Sequence, residues 1–237
     1  MNRLTSVLRR CIEDYNMIEE GDRIAVGVSG GKDSLALLCA MSNLRRFYPK
    51  HFELSAITIH MGMKDMDFAP VAELCERLEV PYTLVQTQIQ QVVFEDRKEK
   101  NPCSLCARMR KGVLNEKLIE QGITKIALGH HYDDAVETFF MSLMYEGRIN
   151  CFSPVTFMDR MGVTQIRPLL YVTEEHIRSF AERFKLPIIK NPCPMDGTSR
   201  RQEIKDLIKT LAADYPDLKS KVFGAMQRLP LKGWEIE

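Results

Sequence analysis

The stretch VGVSGGKDSLALL, residues 26–38, joins a run of β-branched apolar residues to the first strong helical pattern of the chain. Gly30 and Gly31 allow the backbone to turn tightly and to expose its N–H groups, and the start of a helix favours an anion. The neighbouring side chains add two hydroxyls and one positive charge: Ser29, Ser34 and Lys32. The stretch therefore predicts a strand–loop–helix unit that binds phosphate or pyrophosphate.

This loop differs from the two commonest nucleotide-binding motifs. Gly27 precedes the Gly31–Lys32 pair by three intervening residues, and Asp33 follows the lysine. A Walker A loop has about four intervening residues and a Ser or Thr in that last place, and the G-x-G-x-x-G fingerprint is absent as well. The alternative is a tight turn with a capped helix and no ligand, but the strand before it and the helix after it favour the phosphate site.

Apolar β-branched runs alternate with helical patterns through the rest of the chain. The predicted strands are residues 23–29, 53–60, 81–87, 124–130 and 163–170, and the predicted helices lie near 32–47, 69–79, 104–121 and 134–146. Nearly continuous apolar strands separated by helices indicate a parallel sheet covered on both faces. We therefore predict an α/β fold with a parallel five-stranded sheet and helices on both faces. The expected division is a nucleotide-binding domain at 1–170, with an N-terminal helix, and a C-terminal helical extension at 171–237 packed on it.

Composition limits the classes of protein to consider. The 237 residues are 45% hydrophobic and 27% charged, which is ordinary for a globular protein. No apolar run approaches the roughly 20 residues that a membrane helix needs, and acidic residues interrupt the N-terminal helical pattern. We expect a cytoplasmic protein with no membrane partner. The net charge is +1, so any binding to nucleic acid must come from local basic patches.

A second polar segment, ALGHHYDDAVETFFMSLMYEG at 127–147, starts at the end of a predicted strand and continues as a helix. Its polar residues, His130, His131, Asp133 and Asp134, are expected at the carboxyl edge of the sheet, where open α/β folds bind ligands. The two aspartates can hold Mg²⁺ beside phosphates or can simply cap the helix. Because the segment meets the same edge as the glycine-rich loop, we favour a nucleotide site.

Seven cysteines are present, and their spacing separates them into two groups. Cys103 and Cys106 form a C-x-x-C pair, which is typical of zinc sites, iron–sulfur clusters or redox chemistry. Cys193 lies between two prolines in an irregular stretch, where packing does not explain a thiol, and folding over the sheet edge would bring it to the pair. Spacing alone does not choose the metal. Core packing is predicted for the others: Cys11, Cys39, Cys75 and Cys151.

Basic residues lie next to these cysteines. Arg108, Arg110 and Lys111 follow the C-x-x-C pair, and two arginines follow Cys193: Arg200 and Arg201. If the cysteines meet, these charges form the local RNA-binding patch that the net charge does not supply. Solvated helix faces are the alternative. Arg45, Arg46 and Lys50 could extend the patch, and Arg167 could reach a phosphate. The run at 95–100 mixes charges of both signs and is interpreted as a solvated helix face.

Taken together, the motifs SGGKDS, PCSLCARMRKG, ALGHHYDDAVET, IRPLLYV and NPCP…RR resemble, in order and spacing, the tRNA 2-thiocytidine synthetase (TtcA-like) family of the PP-loop ATP pyrophosphatase superfamily. The resemblance spans nearly the whole chain. It implies an enzyme that splits ATP into AMP and pyrophosphate, adenylates C2–O of cytidine 32 in the tRNA anticodon loop, and replaces that oxygen with sulfur. It also implies a [4Fe–4S] cluster, ATP and Mg²⁺ as cofactors.

The resemblance carries roles onto individual residues. The cluster ligands would be Cys103, Cys106 and Cys193, and these with Asp33 would form the catalytic set. The nucleotide would be held by Ser29, Gly30, Gly31, Lys32, Asp33, Ser34, His60, Gly129 and Asp134. The expected partners are tRNA, ATP and a sulfur donor such as a cysteine desulfurase pathway, and a homodimer is compatible with the family.

Several alternatives stay open at this level. The segment after the second predicted strand reads HMGMKD and lacks the acidic residue that the resemblance leads us to expect, which leaves the target nucleoside open. Uridine 2-thiolation and a persulfide-based sulfurtransferase without metal are the enzymatic alternatives. A nucleotide-binding, redox-sensing module is the non-enzymatic one.

Overall fold

The structure, a computed structural model of the chain, describes residues 3–63, 66–97, 102–159, 161–190, 192–193 and 200–228. Its strands are β1 (Asp22–Gly27), β2 (Phe52–His60), β3 (Tyr82–Gln86), β4 (Lys125–Ala127), β5 (Val155–Met158) and β6 (Val163–Ile166). They form one sheet in the order β3-β2-β1-β4-β6-β5. All neighbours are parallel except β5, which runs antiparallel to β6. The strand order changes direction between β1 and β4, and ligands bind outside the carboxyl ends of strands at such a point.

The predicted fold class, a largely parallel sheet between helices, is confirmed, but the strand count of five was wrong. The missed strand is β5, which has only four residues at the sheet edge and no clear alternation of buried and exposed positions. Its Phe157 is 59% exposed, so the strand lacks an apolar face that could signal it. The strand predicted at 163–170 ends at Ile166, because the residue before Pro168 begins a turn.

The helices of the described residues flank this sheet. They are α1 (Arg3–Asp14), α2 (Lys32–Arg45), α3 (Ala69–Arg77), α4 (Ile89–Gln91), α5 (Pro102–Glu120), α6 (Tyr132–Met141), α7 (Glu174–Arg183), α8 (Arg200–Asp214) and α9 (Leu218–Arg228). Two π-helical turns, Val92–Asp96 and Ser142–Glu146, continue α4 and α6.

The two faces of the sheet are covered differently. The large apolar cluster on one face joins β1 to α1, α2, α3 and α6–α9. On the other face, α5 packs Leu114 and Leu118 against Ala25, Ile57 and Ile126. Because α5 leads into the parallel strand β4, it runs from the carboxyl edge of the sheet to the amino edge. The first turn of α5, with its two cysteines, therefore lies at the ligand edge.

Candidate nucleotide and cysteine site

The glycine-rich loop is a closed hydrogen-bonded turn at the start of α2. The Ser34 hydroxyl donates to the Gly31 carbonyl at 3.0 Å and accepts from the Ser29 N–H at 3.2 Å. Gly30 has φ +85°, and a Cβ at that position would lie 3.0 Å from the Cβ of Ile189. The Ile189 N–H also donates to the Gly30 carbonyl at 2.9 Å. The loop therefore requires glycine, and the chain just before Cys193 closes over it.

Lys32 and Asp33 form the charged part of this loop. The Lys32 ammonium lies 3.0 Å from Asp33 Oδ1 and 3.2 Å from Glu174 Oε1. Burial alone would lower the pKa of Lys32, but these two carboxylates together raise it. Asp33 Oδ1 is buried and accepts no hydrogen bond of normal geometry from the described residues. The cation that this buried oxygen faces in the structure is the Lys32 ammonium.

The second polar segment meets this loop at close range. A Cβ on Gly129 would lie 3.1 Å from the backbone carbon of Asp33 and from the Ser34 nitrogen. His131 caps α6: its Nδ1 accepts from the Asp134 N–H at 3.4 Å, while Asp134 Oδ2 accepts from the His131 N–H at 3.0 Å. His131 Nε2 lies 3.7 Å from Asp33 Oδ1 and 3.4 Å from Asp134 Oδ2. The imidazole thus stands between the two carboxylates.

The two neighbouring aspartates of α6 have different surroundings. Asp133 is buried and accepts from the Glu174 N–H at 2.7 Å and from Lys219 at 2.6 Å. Those contacts tie α6 to α7 and α9. Asp134, one residue later, lines the pocket described below. Of the two carboxylates considered for Mg²⁺ from the sequence, the structure therefore leaves Asp134 as the candidate.

Arg201, from α8, contacts three residues of α6. Its guanidinium lies 3.4 Å from Asp134 Oδ1, 3.2 Å from Glu137 Oε2 and 3.3 Å from Thr138 Oγ1. Burial raises the pKa of Glu137, and Asp134 adds to that effect while Arg201 opposes it. Arg201, predicted to join the RNA-binding patch, thus clamps α8 to α6 while its side chain stays 40% exposed. A partner 63 to 67 residues away leaves no local signal in the sequence.

His130 and Arg167 form a buried group beside the pocket. The Arg167 guanidinium is buried, bonds to the Ser153 carbonyl and the Thr156 hydroxyl, and lies 4.8 Å from the centre of the Phe152 ring. Burial, with the nearby Arg167 charge, lowers the pKa of His130 to about 4. Arg167 therefore anchors the chain before β5 and does not face the phosphate-binding loop.

A pocket of about 550 Å³ opens between the loop, the end of β4 and α5. Its apolar wall includes Ile57, Ile59, Ile126, Leu128 and Met158, and its polar residues include Asp33, Asp134, His130, Asn115, Gln165, Arg110 and Lys111. Its size and its mainly apolar lining suit a nucleoside. Sequence analysis missed Asn115 and Gln165, because they reach the pocket from α5 and β6 and belong to no motif.

His60 lies close to the loop but outside the lining of this pocket. Its Nδ1 accepts from the Gly62 N–H at 3.0 Å, and its ring packs edge-on against Phe68 at 5.7 Å. Phe68 in turn borders Gly30, where a Cβ would come within 3.2 Å of its ring. His60 thus supports the wall of the loop through Phe68.

Cys103 and Cys106 of the candidate cluster lie at the start of α5, and the charge of Cys193 acts on Cys106. Cys103 is exposed, whereas Cys106 is partly buried and points its thiol at Met61 Sδ, 3.5 Å away. Burial raises the pKa of Cys106, Arg110 opposes this, and the charges of Cys193 and Cys103 both add to the rise. All three thiols are free of disulfides. Cys193 therefore lies within electrostatic reach of Cys106.

The remaining cysteines lie in apolar surroundings. Cys11 and Cys75 are buried, and Cys39 and Cys151 are partly buried against the main core. Burial raises the pKa of Cys39 and Cys75 to about 11 and that of Cys151 to about 12. These thiols stay protonated near neutral pH. Within the described ranges, no three His, Cys, Asp or Glu side chains are close enough to hold one metal ion.

The basic residues divide between the pocket and the rest of the surface. Arg108, Arg110 and Lys111 are exposed on α5, and the last two line the pocket. Arg200 is exposed and lies over the Tyr145 ring at 5.1 Å. By contrast, Arg45 donates to the Leu78 and Glu79 carbonyls, and Lys50 donates to the Ile18 carbonyl. Arg45 borders the starts of β1 and β2 at the opposite edge of the sheet, so it does not extend the patch.

No helix among the described residues is long and apolar enough to cross a membrane.

Comparison with known proteins gives a consistent assignment. A PP-loop domain model matches residues 3–211. The tRNA-cytidine(32) 2-sulfurtransferase of Dichelobacter nodosus is 37% identical over 228 residues, covering 95% of this chain and 85% of its own length. The protein of the same name from Escherichia coli is 38% identical over 237 residues, covering 97% of this chain and 76% of its own.

Solved structures agree with these relatives. The U34-tRNA thiolase NcsA from Methanococcus maripaludis, determined with its [4Fe–4S] cluster, has a TM-score of 0.77 and 25% identity, covering 94% of this chain and 77% of that one. The NH3-dependent NAD synthetase of Campylobacter jejuni shares the fold alone, at 16% identity and a TM-score of 0.51, with 100% and 98% of the two chains covered. The predicted family is confirmed: the chain belongs to the PP-loop family, in the group of the tRNA-cytidine(32) 2-sulfurtransferases.

Proposed function

We propose that this protein is an ATP-dependent tRNA sulfurtransferase that forms 2-thiocytidine at position 32 of the anticodon loop. The observation that carries the proposal is that one helix, α5, bears both the cysteine pair and residues of the nucleotide pocket. The first turn of α5 bears Cys103 and Cys106, and its next turns supply Arg110 and Lys111 to the nucleotide pocket. The thiols and these pocket-lining side chains thus lie on one short stretch of helix. The named activity of the relatives from Dichelobacter nodosus and Escherichia coli supports the choice of base.

In this proposal, ATP lies with its adenosine in the apolar pocket and its phosphates on the glycine-rich loop. The phosphate-binding residues are Ser29, Gly30, Gly31, Lys32 and Ser34, with Gly129 allowing close approach and His60 supporting the wall. The carboxylate of Asp33, which is paired with Lys32 in the structure, and that of Asp134 both lie near His131 Nε2 and would supply oxygen ligands of the kind that Mg²⁺ prefers.

Cys103, Cys106 and Cys193 are the residues that would hold a [4Fe–4S] cluster. Their fit rests on three thiols outside any disulfide, with the charges of two of them acting on the third. When bound, a cluster with three cysteine ligands supplies an iron with a free position, and with it the sulfur for the exchange.

The chain's own residues account for the first half of the reaction. The base oxygen forms a bond to the α phosphorus, the bond from that phosphorus to its bridging oxygen breaks, and pyrophosphate leaves on the loop. Lys32 and the loop N–H groups stabilise the charge that develops there.

In the second half of the reaction, sulfur bonds to the ring carbon that carries the adenylated oxygen, the carbon–oxygen bond breaks, and AMP leaves with the oxygen. AMP is a far better leaving group than the oxygen alone.

The same proposal covers the partners and the place of action. Arg108, Arg110 and Lys111 would contact the RNA backbone beside the splayed base. A cysteine desulfurase pathway would supply sulfur, and a homodimer is the assembly we propose to test first. Reduced thiols and a tRNA substrate suit the cytoplasm. We also propose residues 1–170 as the nucleotide-binding unit and 171–237 as its helical extension.

Thiolation of uridine is the second candidate function. It is favoured by the structural likeness to the U34-tRNA thiolase, which covers most of both chains. The chemistry is the same, because uridine also carries an oxygen on the carbon that is thiolated. The two functions differ in which nucleoside of the tRNA is thiolated.

One experiment separates these functions. Bulk tRNA from cells that lack the protein is digested and its thionucleosides are compared with those of the parent by mass spectrometry. Loss of 2-thiocytidine alone, restored by the wild-type gene, supports the proposal. Loss of a 2-thiouridine supports the second candidate. An unchanged profile in cells that normally express the protein would contradict both and favour a nucleotide-binding, redox-sensing module.

A further inference from the structure

Glu174, the first residue of α7, is a charged contact of the phosphate-binding loop that belongs to none of the motifs. Its Oε1 lies 3.2 Å from the Lys32 ammonium, and its side chain is only 16% exposed. Glu174 lies 142 positions after Lys32 in the sequence. The contact exists because α7 packs against α2, the helix that begins at Lys32.

Glu174 is itself fixed from several sides. Its Oε2 accepts from Lys205 at 2.7 Å, and Arg178 lies 3.6 Å from its Oε1. Its backbone N–H donates to Asp133 Oδ2 at 2.7 Å. Burial opposes the charge of Glu174, but the hydrogen bonds and charges of Lys205 and Lys32 hold its pKa down at about 2. The carboxylate is therefore ionised and immobile across the physiological pH range.

Such a carboxylate can direct a flexible lysine. The Lys32 side chain has four rotatable bonds and would otherwise sample many positions around the loop. In the structure, two carboxylates hold its ammonium, those of Asp33 and Glu174. If Asp33 binds Mg²⁺, Glu174 is the anchor that stays with Lys32. The Lys205 charge then offsets the Glu174 charge, so that the anchor does not repel incoming phosphates.

We propose that Glu174 is a positioning residue that holds the Lys32 ammonium at the phosphate-binding loop, and that Lys205 neutralises Glu174 so that this anchor is compatible with a bound triphosphate. The inference rests on the proposed function in one respect, that Lys32 contacts phosphate. It gives α7 and α8 a part in nucleotide binding, although neither helix contributes a residue to the glycine-rich loop.

The test measures binding of Mg-ATP, Mg-pyrophosphate and adenosine to the full chain, loaded with its cofactor, by titration calorimetry. The variants are E174Q, K205M, the double variant E174Q/K205M, and E175Q as the matched control. Glu175 is the exposed neighbour of Glu174. A thermal unfolding curve for each variant shows whether it folds.

We expect E174Q to weaken Mg-ATP and Mg-pyrophosphate about tenfold, because one charge-assisted contact that places Lys32 is lost. K205M weakens them as well, since it leaves the Glu174 charge uncompensated beside the phosphates. In the double variant, the Lys205 effect disappears and affinity equals that of E174Q. Adenosine, which lacks phosphate, binds all four variants like the wild type.

Two results would overturn the inference. One is E174Q with unchanged phosphate affinity and only a lower unfolding temperature, which would make Glu174 purely structural. The other is equal loss of adenosine and pyrophosphate binding, which would indicate general damage to the pocket. A wild-type chain that fails to bind Mg-ATP would instead contradict the proposed function, and normal Mg-ATP binding with an unchanged tRNA profile would contradict only the tRNA assignment.

Discussion

Gly129 sets the distance between the two nucleotide motifs, and it does so by having no side chain. A Cβ there would lie 3.1 Å from backbone atoms of Asp33 and Ser34, which cannot rotate away as a side chain can. We expect G129A to push the loop from the β4 end, to destabilise the fold by about 1–3 kcal/mol, and to weaken Mg-ATP binding. Thermal unfolding and calorimetric titration measure the two effects.

Gly112 is the matched control for this change. A Cβ on Gly112, in the middle of α5, would meet nothing within 4 Å. G112A should therefore raise stability by about 0.5–1 kcal/mol through helix propensity and leave ATP binding unchanged. If both alanines behaved alike, the contact between the motifs would not be the reason for glycine at 129.

The three cysteines proposed to hold the cluster allow a prediction that separates cluster binding from nucleotide binding. We expect serine at Cys103, Cys106 or Cys193 to abolish tRNA thiolation and to lower the iron content and visible absorbance of the anaerobically purified protein. ATP affinity should stay near that of the wild type, because none of the three lines the nucleotide pocket. C39A, at a partly buried cysteine of α2, is the control that keeps its iron. Loss of ATP binding in all three serine variants would rule out this division of roles.

His130 makes the stability of the fold depend on pH. Its pKa falls from 6.5 in the unfolded chain to about 4 in the folded one, because of burial first and Arg167 second. The unfolded state therefore binds a proton below pH 6.5 that the folded state refuses until about pH 4. The contribution is fully present above pH 6.5 and is lost as pH falls through that window, by roughly 3 kcal/mol in total.

Replacement of the imidazole tests this dependence. H130Q should flatten the decline of unfolding free energy between pH 6.5 and 4, measured by urea denaturation at a series of pH values. The H51Q variant, which removes an exposed imidazole far from the pocket, controls for the loss of a histidine. An identical decline in H130Q and wild type would show that other groups cause it.

At the scale of elements, α6 is the helix to which the C-terminal helices α8 and α9 are tied. Arg201 of α8 reaches Asp134, Glu137 and Thr138 on successive turns of α6. Without it, the Glu137 carboxylate, which is 5% exposed, would lack its cation. We expect R201A to lower the unfolding free energy at neutral pH by about 2–3 kcal/mol and the loss to shrink in acid, as Glu137 takes up a proton.

The neighbouring arginine provides the comparison for that clamp. Arg200 is exposed and lies over the Tyr145 ring, so R200A should cost at most about 1 kcal/mol. The two variants remove the same charge from adjacent positions of α8. If R200A and R201A were equally destabilising, the clamp would contribute nothing beyond the charge and propensity of α8.

Elements with local sequence signals could be predicted, whereas contacts between distant elements could not. The strands with buried, β-branched residues and the loop at 29–34 could be predicted because their signals are local. The different roles of Asp133 and Asp134 could not be predicted. Only the rotation of about 100° between neighbouring helix residues makes one carboxylate face α7 and α9 and the other face the pocket. The role of Glu174 could not be predicted either, since it depends on how α7 packs against α2.

At the scale of the whole molecule, charge is distributed so that a nearly neutral protein can bind RNA at one place. The net charge of +1 supplies no general attraction. Several basic side chains hydrogen-bond to other parts of the chain: Arg45, Lys50, Arg167 and Arg201. Three residues of α5 are exposed instead, and two of them, Arg110 and Lys111, line the pocket; the third is Arg108. RNA affinity should therefore depend on a few positions.

Replacement of Arg110 and Lys111 tests this concentration of charge. R110A/K111A should weaken tRNA binding about tenfold and make the slope of log affinity against log salt shallower by about 1–2. The slope changes because fewer counterions are released from the RNA on binding when phosphate contacts are lost. Filter binding at several salt concentrations measures both quantities. R9A/R183A removes the same charge from α1 and α7, on the opposite face of the sheet from α5, and should change neither. An equal loss in both double variants would mean that tRNA senses total charge, while loss of ATP binding without loss of tRNA binding would assign Arg110 and Lys111 to the nucleotide phosphates.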